Sequence, residues 1–137
     1  MRGSLQPGLT LTRRVDIDGT RTIAFMGEEC RVYATPSLLG DIEHACRDLI
    51  LEHADAGEDS VGTSISLAHS AATLLGMWAE ITVTVTAVEG RRVRFIVSAT
   101  DPLEPICKGE HERFVVNVAR TAERLQAKSA KFAAETP

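Results

Sequence analysis

The sequence predicts an α+β fold in which a curled antiparallel sheet wraps one long central helix. Three observations carry that prediction. Leu38, Leu39, Ile42, Cys46, Leu49 and Ile50 recur at helical spacing within one segment. Beyond it, successive segments alternate apolar and polar residues with the period of a strand. No second apolar helix interrupts those strands, so the inner face of the sheet has a single helix to bury against.

The elements follow in order. Residues 9–18, LTLTRRVDID, are strand-like and stop at the turn signal Asp18-Gly19. A short extended piece, TRTIAFM, comes next. Thr35-Pro36 reads as a helix start, with the threonine as cap and the proline at the first helical position, where no backbone N–H is needed. The helix is about five turns long and is expected to end near Ala56-Gly57. Residues 61–72 form a strand in which Ile65, Leu67, His69 and Ala71 share the face turned to the core. In residues 78–90, WAEITVTVTAVEG, Ile81, Val83, Val85 and Ala87 face one way, and Glu89-Gly90 makes a hairpin turn. In residues 91–100, Val93, Phe95, Val97 and Ala99 share a face before Asp101-Pro102 breaks the strand. Residues 105–118 are the last strand. ARTAERLQAKSAKFAAE, about 119–134, is rich in helix formers and reads as a terminal helix. Residues 1–137 thus read as one domain with its core over about 9–118. A curled antiparallel sheet around one long helix is the hot-dog fold. Its outer strand edge needs cover, and dimerisation through that edge is one solution.

Composition narrows the function. The chain has 137 residues, enough for one real core. Its formal net charge is −4 and it has no long basic run, which argues against a nucleic-acid partner. Cys30, Cys46 and Cys107 are far apart and odd in number, so neither a zinc site nor a disulfide framework is expected, and a cytoplasmic location is. The first residues lack an apolar h-region, so no signal peptide is expected. No 18-residue apolar stretch exists to span a membrane.

Four side chains stand out against this background. Thr35 places a hydroxyl at the helix start, beside the N–H groups of Ser37, Leu38 and Leu39, which are expected to be free to bind an oxyanion. Glu43 interrupts the stripe Leu39, Cys46, Ile50 with a carboxylate, which must be paired if it is buried. His69 sits on the core-facing side of its strand, where a hydrogen-bonded core histidine is the plainer reading. Glu43 on the helix and His69 on the covering strand are expected to meet across the core and supply acid–base chemistry. In KGEHER, residues 108–113, Arg113 shares a face with His111, and its guanidinium fork suits the Glu43 carboxylate. Gly62-Thr63 is a stretch of small residues whose backbone could approach a ligand closely. Cys46 reads as core, and His44 and His53 as helix surface.

Taken together, VYATPSLLGDIEHAC, SVGTSISLAHSAAT, ITVTVTAVEGRRVRFIVSA and KGEHERFVV resemble the fluoroacetyl-CoA thioesterase family of hot-dog enzymes, over roughly residues 30–118. The resemblance implies hydrolysis of an acyl-CoA thioester to acid and free CoA. It implies Thr35, Glu43 and His69 as catalytic residues, Gly62 near the thioester, and Arg113 orienting Glu43. It implies a homodimer with each active site at the subunit interface, and no cofactor, since coenzyme A is part of the substrate. The chain departs from the family pattern at Pro36, where the family has glycine, and in a short segment, MGEECRVY, where the fluoroacetyl-specific enzyme carries a longer lid. A small acyl-CoA is therefore the expected substrate, rather than fluoroacetyl-CoA in particular. In the expected chemistry Glu43 is base or nucleophile, Thr35 positions or attacks, and His69 shuttles protons or binds the carbonyl. A non-catalytic acyl-CoA-binding or regulatory module, a hot-dog hydratase and a structural dimer with a degenerate site are the competing readings.

Overall fold

A computed structural model describes residues 1–135. Strand β1, Thr10–Asp16, is followed by a short hairpin of β2, Thr22–Ile23, and β3, Val32–Tyr33. Helix α1, Thr35–Leu51, comes next, then β4, Glu58–His69, β5, Trp78–Glu89, β6, Arg92–Thr100, and β7, Pro105–Asn117. Helix α2, Val118–Glu135, follows without a break. The main sheet is antiparallel in the order β1-β5-β6-β7-β4, so β1 and β4 are its edges.

Alternation drives the burial. In β6, Val93, Phe95, Val97 and Ala99 are buried while their neighbours are exposed. In β5, Ile81, Val83 and Val85 face the same core, and the pattern lapses at Ala87 because the β5–β6 register shifts between Val85 and Ala87. Helix α1 fills the inner face with Leu38, Ile42, Ala45, Cys46, Leu49 and Ile50. Burying each of the large aliphatic side chains contributes about 1.5–3 kcal/mol. The β5–β6 turn places Gly90 at φ +61°, which a side chain would strain. The hot-dog arrangement is therefore present. The terminal helix also forms where expected, with no residue of α2 buried.

Three local expectations are corrected. Thr35 does not cap α1. The cap position is Ala34, Thr35 is the first helical residue, and no side chain caps the helix. The helix ends at Leu51 rather than near Ala56-Gly57, since Glu52 and His53 turn back onto Asp48 and Ile50. The strand expected over 61–72 lies at 58–69. It pairs with β7 from Glu58↔Asn117 onward, and a bulge between Gly62 and Ser64 hides the alternation of its first half.

Candidate active site

Losing the capping role frees the Thr35 hydroxyl for another partner. Its Oγ1 lies 2.8 Å from Nδ1 of His69, which β4 carries across from α1. His69 keeps the inward orientation read from the strand period, on the same side as Ile65 and Leu67. Burial pushes its imidazole below the ordinary histidine value, and the Ala71 backbone, as an acceptor that favours the protonated ring, opposes that shift. Nε2 of His69 is buried with no hydrogen-bond partner among the described residues. In the neutral ring, Nδ1 can accept the Thr35 proton while Nε2 keeps its own.

The backbone around this pair is less open than the sequence suggests. Leu38 N–H donates to the Ala34 carbonyl at 3.0 Å, so Leu38 is not free. Among the described residues, the N–H groups of Thr35 and Ser37 have no backbone acceptor. Pro36 at the second helical position has no N–H at all. Two amides thus remain beside the hydroxyl, at the positive end of the helix dipole.

Glu43 belongs to a second cluster. Its Oε2 is 3.4 Å from Nη1 of Arg113, as the guanidinium fork suggested. Arg113 is only 5% exposed, so its charge must be fully satisfied. Its Nε donates to Ser60 Oγ at 2.7 Å and its Nη2 to the Ser60 carbonyl at 2.8 Å. Nη1 also reaches His111 Nε2 at 3.2 Å, while His111 Nδ1 lies 2.7 Å from the Ser64 carbonyl. An acceptor on one side and a donor on the other fix the His111 tautomer: Nδ1 donates its proton to the Ser64 carbonyl and Nε2 accepts from Arg113. Gly62 leaves room for this carboxylate: a Cβ would stand 2.7 Å from Glu43 Oε2 and 3.2 Å from His111 Cε1, and would push the Glu43 carboxylate from its place.

The expected meeting of Glu43 and His69 does not occur within one chain. Each has its own partner, and eight residues of α1 separate Thr35 from Glu43, about 12 Å along the axis. The sequence also gave no role to Ser60, Tyr33 or Asp41. Ser60 was hidden by the bulge, which reverses strand parity between Ser60 and Ile65. Cys46 is core as read, with its thiol pushed up to about 12 by burial.

His111 supplies a pH test. Burial first, and then the Arg113 charge, push its pKa below the ordinary value of 6.5. The unfolded chain therefore binds a proton that the folded chain refuses. Stability from this site is complete above about pH 6.5 and is lost as pH falls toward the lower folded value. Urea midpoints measured between pH 7.5 and 5 are expected to fall more steeply for the wild type than for His111→Asn. Parallel slopes would show that His111 does not couple.

One long helix cradled by an antiparallel sheet, with a threonine–histidine contact at the helix N-terminus, defines the class: a hot-dog domain. Residues 17–119 match the family model described as fluoroacetyl-CoA-specific thioesterase. The chain belongs to that family, and its reaction class is thioester hydrolysis. It is 36% identical over 98 residues to the fluoroacetyl-CoA thioesterase of Streptantibioticus cattleyicolor, covering 72% of this chain and 70% of that one. A solved structure of a fluoroacetyl-CoA thioesterase superposes with a TM-score of 0.81 at 31% identity, covering 97% of this chain and 98% of the other. A hypothetical protein of Thermus thermophilus, a thioesterase superfamily member, gives 0.89 at 26% identity over 98% and 100%.

Proposed function

We propose that the protein hydrolyses a small acyl-CoA thioester at a site built from Thr35, His69 and Glu43. The observation that carries the proposal is the 2.8 Å contact between the Thr35 hydroxyl and the His69 imidazole. Thr35 Oγ1 attacks the thioester carbonyl as His69 Nδ1 takes its proton. The carbonyl oxygen becomes an oxyanion, stabilised by the Thr35 and Ser37 amides. Collapse breaks the C–S bond, and the His69 proton passes to the departing CoA sulfur. Water then attacks the acyl-threonine ester as Glu43, held by Arg113, takes its proton; the C–O bond to Thr35 breaks, that proton returns to Thr35 Oγ1, and the free acid leaves. The reaction as written uses no metal and no cofactor, since coenzyme A enters as part of the substrate and leaves as a product. A family structure in complex with fluoroacetate and CoA, 31% identical with a TM-score of 0.79, supports the CoA ester as substrate.

A homodimer completes the site. Among the described residues the outer edge of β4 has no partner strand, and a two-fold axis across it would pair the strand antiparallel with its copy. Centred near Ile65, that pairing sets His69 opposite Val61 and Gly62 of the other chain. The Thr35–His69 pair of one protomer then faces the partner's Glu43, which accounts for the separation of about 12 Å along one helix. A cytoplasmic location fits the three unpaired cysteines. No helix among the described residues is long and apolar enough to cross a membrane.

The test is free-thiol release from acetyl-, fluoroacetyl-, propionyl-, butyryl- and longer acyl-CoA. Turnover of a short member is expected; binding without turnover would make the protein an acyl-CoA-binding module. Mixing inactive Thr35→Ala and Glu43→Ala protomers tests the shared site. Hybrid dimers hold one intact site, so about a quarter of the wild-type activity is expected to return. No recovery after subunit exchange would place all three groups within one chain.

A further inference from the structure

We propose that Tyr33, Asp41 and Arg21 are positioning residues that hold the His69 imidazole against Thr35. This inference rests on the reading of Thr35 and His69 as the reacting pair. Tyr33, on β3, is 1% exposed and presents its ring edge-on to His69, with centroids 6.4 Å apart and planes at 78°. Such T-shaped contacts set ring orientation as well as burying area. The tyrosine is itself tethered. Its hydroxyl donates to Asp41 Oδ2 at 2.5 Å.

Asp41 lies on α1, between the two clusters of the site. It is gripped from the other side by Arg21, whose Nε and Nη2 reach its two oxygens at 3.0 and 3.3 Å. Arg21 in turn donates to Asp18 Oδ2 at 3.1 Å, and its carbonyl accepts the Ala34 N–H at 2.8 Å. The chain of contacts therefore runs from the segment before the helix, through a charged pair on α1, to the ring that backs His69. A phenylalanine at position 33 would give the same burial. A buried tyrosine with its hydroxyl pinned to a carboxylate fixes the ring in position, which burial alone does not.

This placement matters because, among the described residues, the Thr35 hydroxyl is the one side chain that hydrogen-bonds the His69 ring, and Nε2 has no hydrogen-bond partner. Without a second restraint the ring could turn about its Cβ–Cγ bond and take Nδ1 out of reach. Small misplacements of a base cost large factors in rate. The titratable groups facing His69 are Tyr33 and Cys107, its register partner on β7. Burial raises both above their ordinary values, so both are uncharged at neutral pH.

The experiment compares Tyr33→Phe and Asp41→Asn with the wild-type protein. Each is expected to lower kcat about 10-fold or more with KM nearly unchanged, the signature of a misplaced group rather than lost binding. In both variants the 15N signals of the His69 ring are expected to show a mixture of tautomers, and its pKa to rise toward 6.5 as water reaches the ring. Asp41→Glu, which keeps the carboxylate, is expected to restore part of kcat. A lowered Tm with wild-type kcat and an unchanged His69 titration would reduce the network to a structural brace and overturn the proposal. The ring titration is read without substrate. If the wild type releases no thiol, the assigned activity fails, while the His69 signals still decide whether Tyr33 and Asp41 hold the ring.

Discussion

His69→Ala is expected to lower kcat for the preferred acyl-CoA by about 10²–10⁴-fold, with little change in KM. The imidazole is the hydrogen-bond partner of the Thr35 hydroxyl, at 2.8 Å. A threonine hydroxyl is a weak nucleophile unless a base takes its proton as it attacks. Thr35→Ala is expected to lose a similar factor, and the double variant hardly more, because the two groups act as one unit. Thr35→Ser keeps the hydroxyl and is expected to retain much of the activity. Steady-state thiol release checks all four. If Thr35→Ala keeps wild-type kcat while His69→Ala does not, water rather than threonine attacks the thioester.

The second large effect is on stability. Arg113→Met is expected to destabilise the fold by about 3 kcal/mol, roughly 10 °C in Tm. Little of this comes from the ion pair, since Glu43 is 36% exposed at its side chain and its contact with Arg113 is 3.4 Å long. Most comes from acceptors left without donors. The Ser60 hydroxyl, the Ser60 carbonyl and His111 Nε2 all take hydrogen bonds from the guanidinium. Each buried orphan costs about 1 kcal/mol or more. Glu43→Gln removes the carboxylate charge and leaves those three bonds intact. It is expected to keep Tm within about 2 °C of wild type while losing activity. Thermal melts of the two variants separate the roles. An Arg113→Met protein as stable as the wild type would mean that water satisfies the pocket, and that Arg113 serves the reaction alone.

Much of the site was legible because each signal was local. His69 could be placed on the inner face from the period of its own strand, and Glu43 from its break in an apolar helical stripe. Arg113 was matched to Glu43 by chemistry alone, and the pair does form. What failed depended on neighbours in space. Thr35 has strong capping propensity, but a cap needs extended backbone, and here Ala34 takes that position. The hydroxyl is instead used by His69, which lies 34 residues away along the chain. Ser60 was invisible because a bulge past Gly62 reverses the alternation on which the inward assignment rested.

By itself, the sequence determined the fold class, the order of the elements and the residue types able to carry the chemistry. Periodicity and turn residues act over a few positions, so they can be read along the chain. Only the tertiary structure decided the pairings. It divided the site into a Thr35–His69 pair and a Glu43–Arg113 pair, gave Gly62 the task of making room for the carboxylate, and set Tyr33 and Asp41 behind the histidine. The physical reason is distance. α1 rises about 1.5 Å per residue and a strand about 3.3 Å. The same interval in sequence therefore spans different lengths on the two elements, and which side chains meet is fixed only when helix and sheet are packed together.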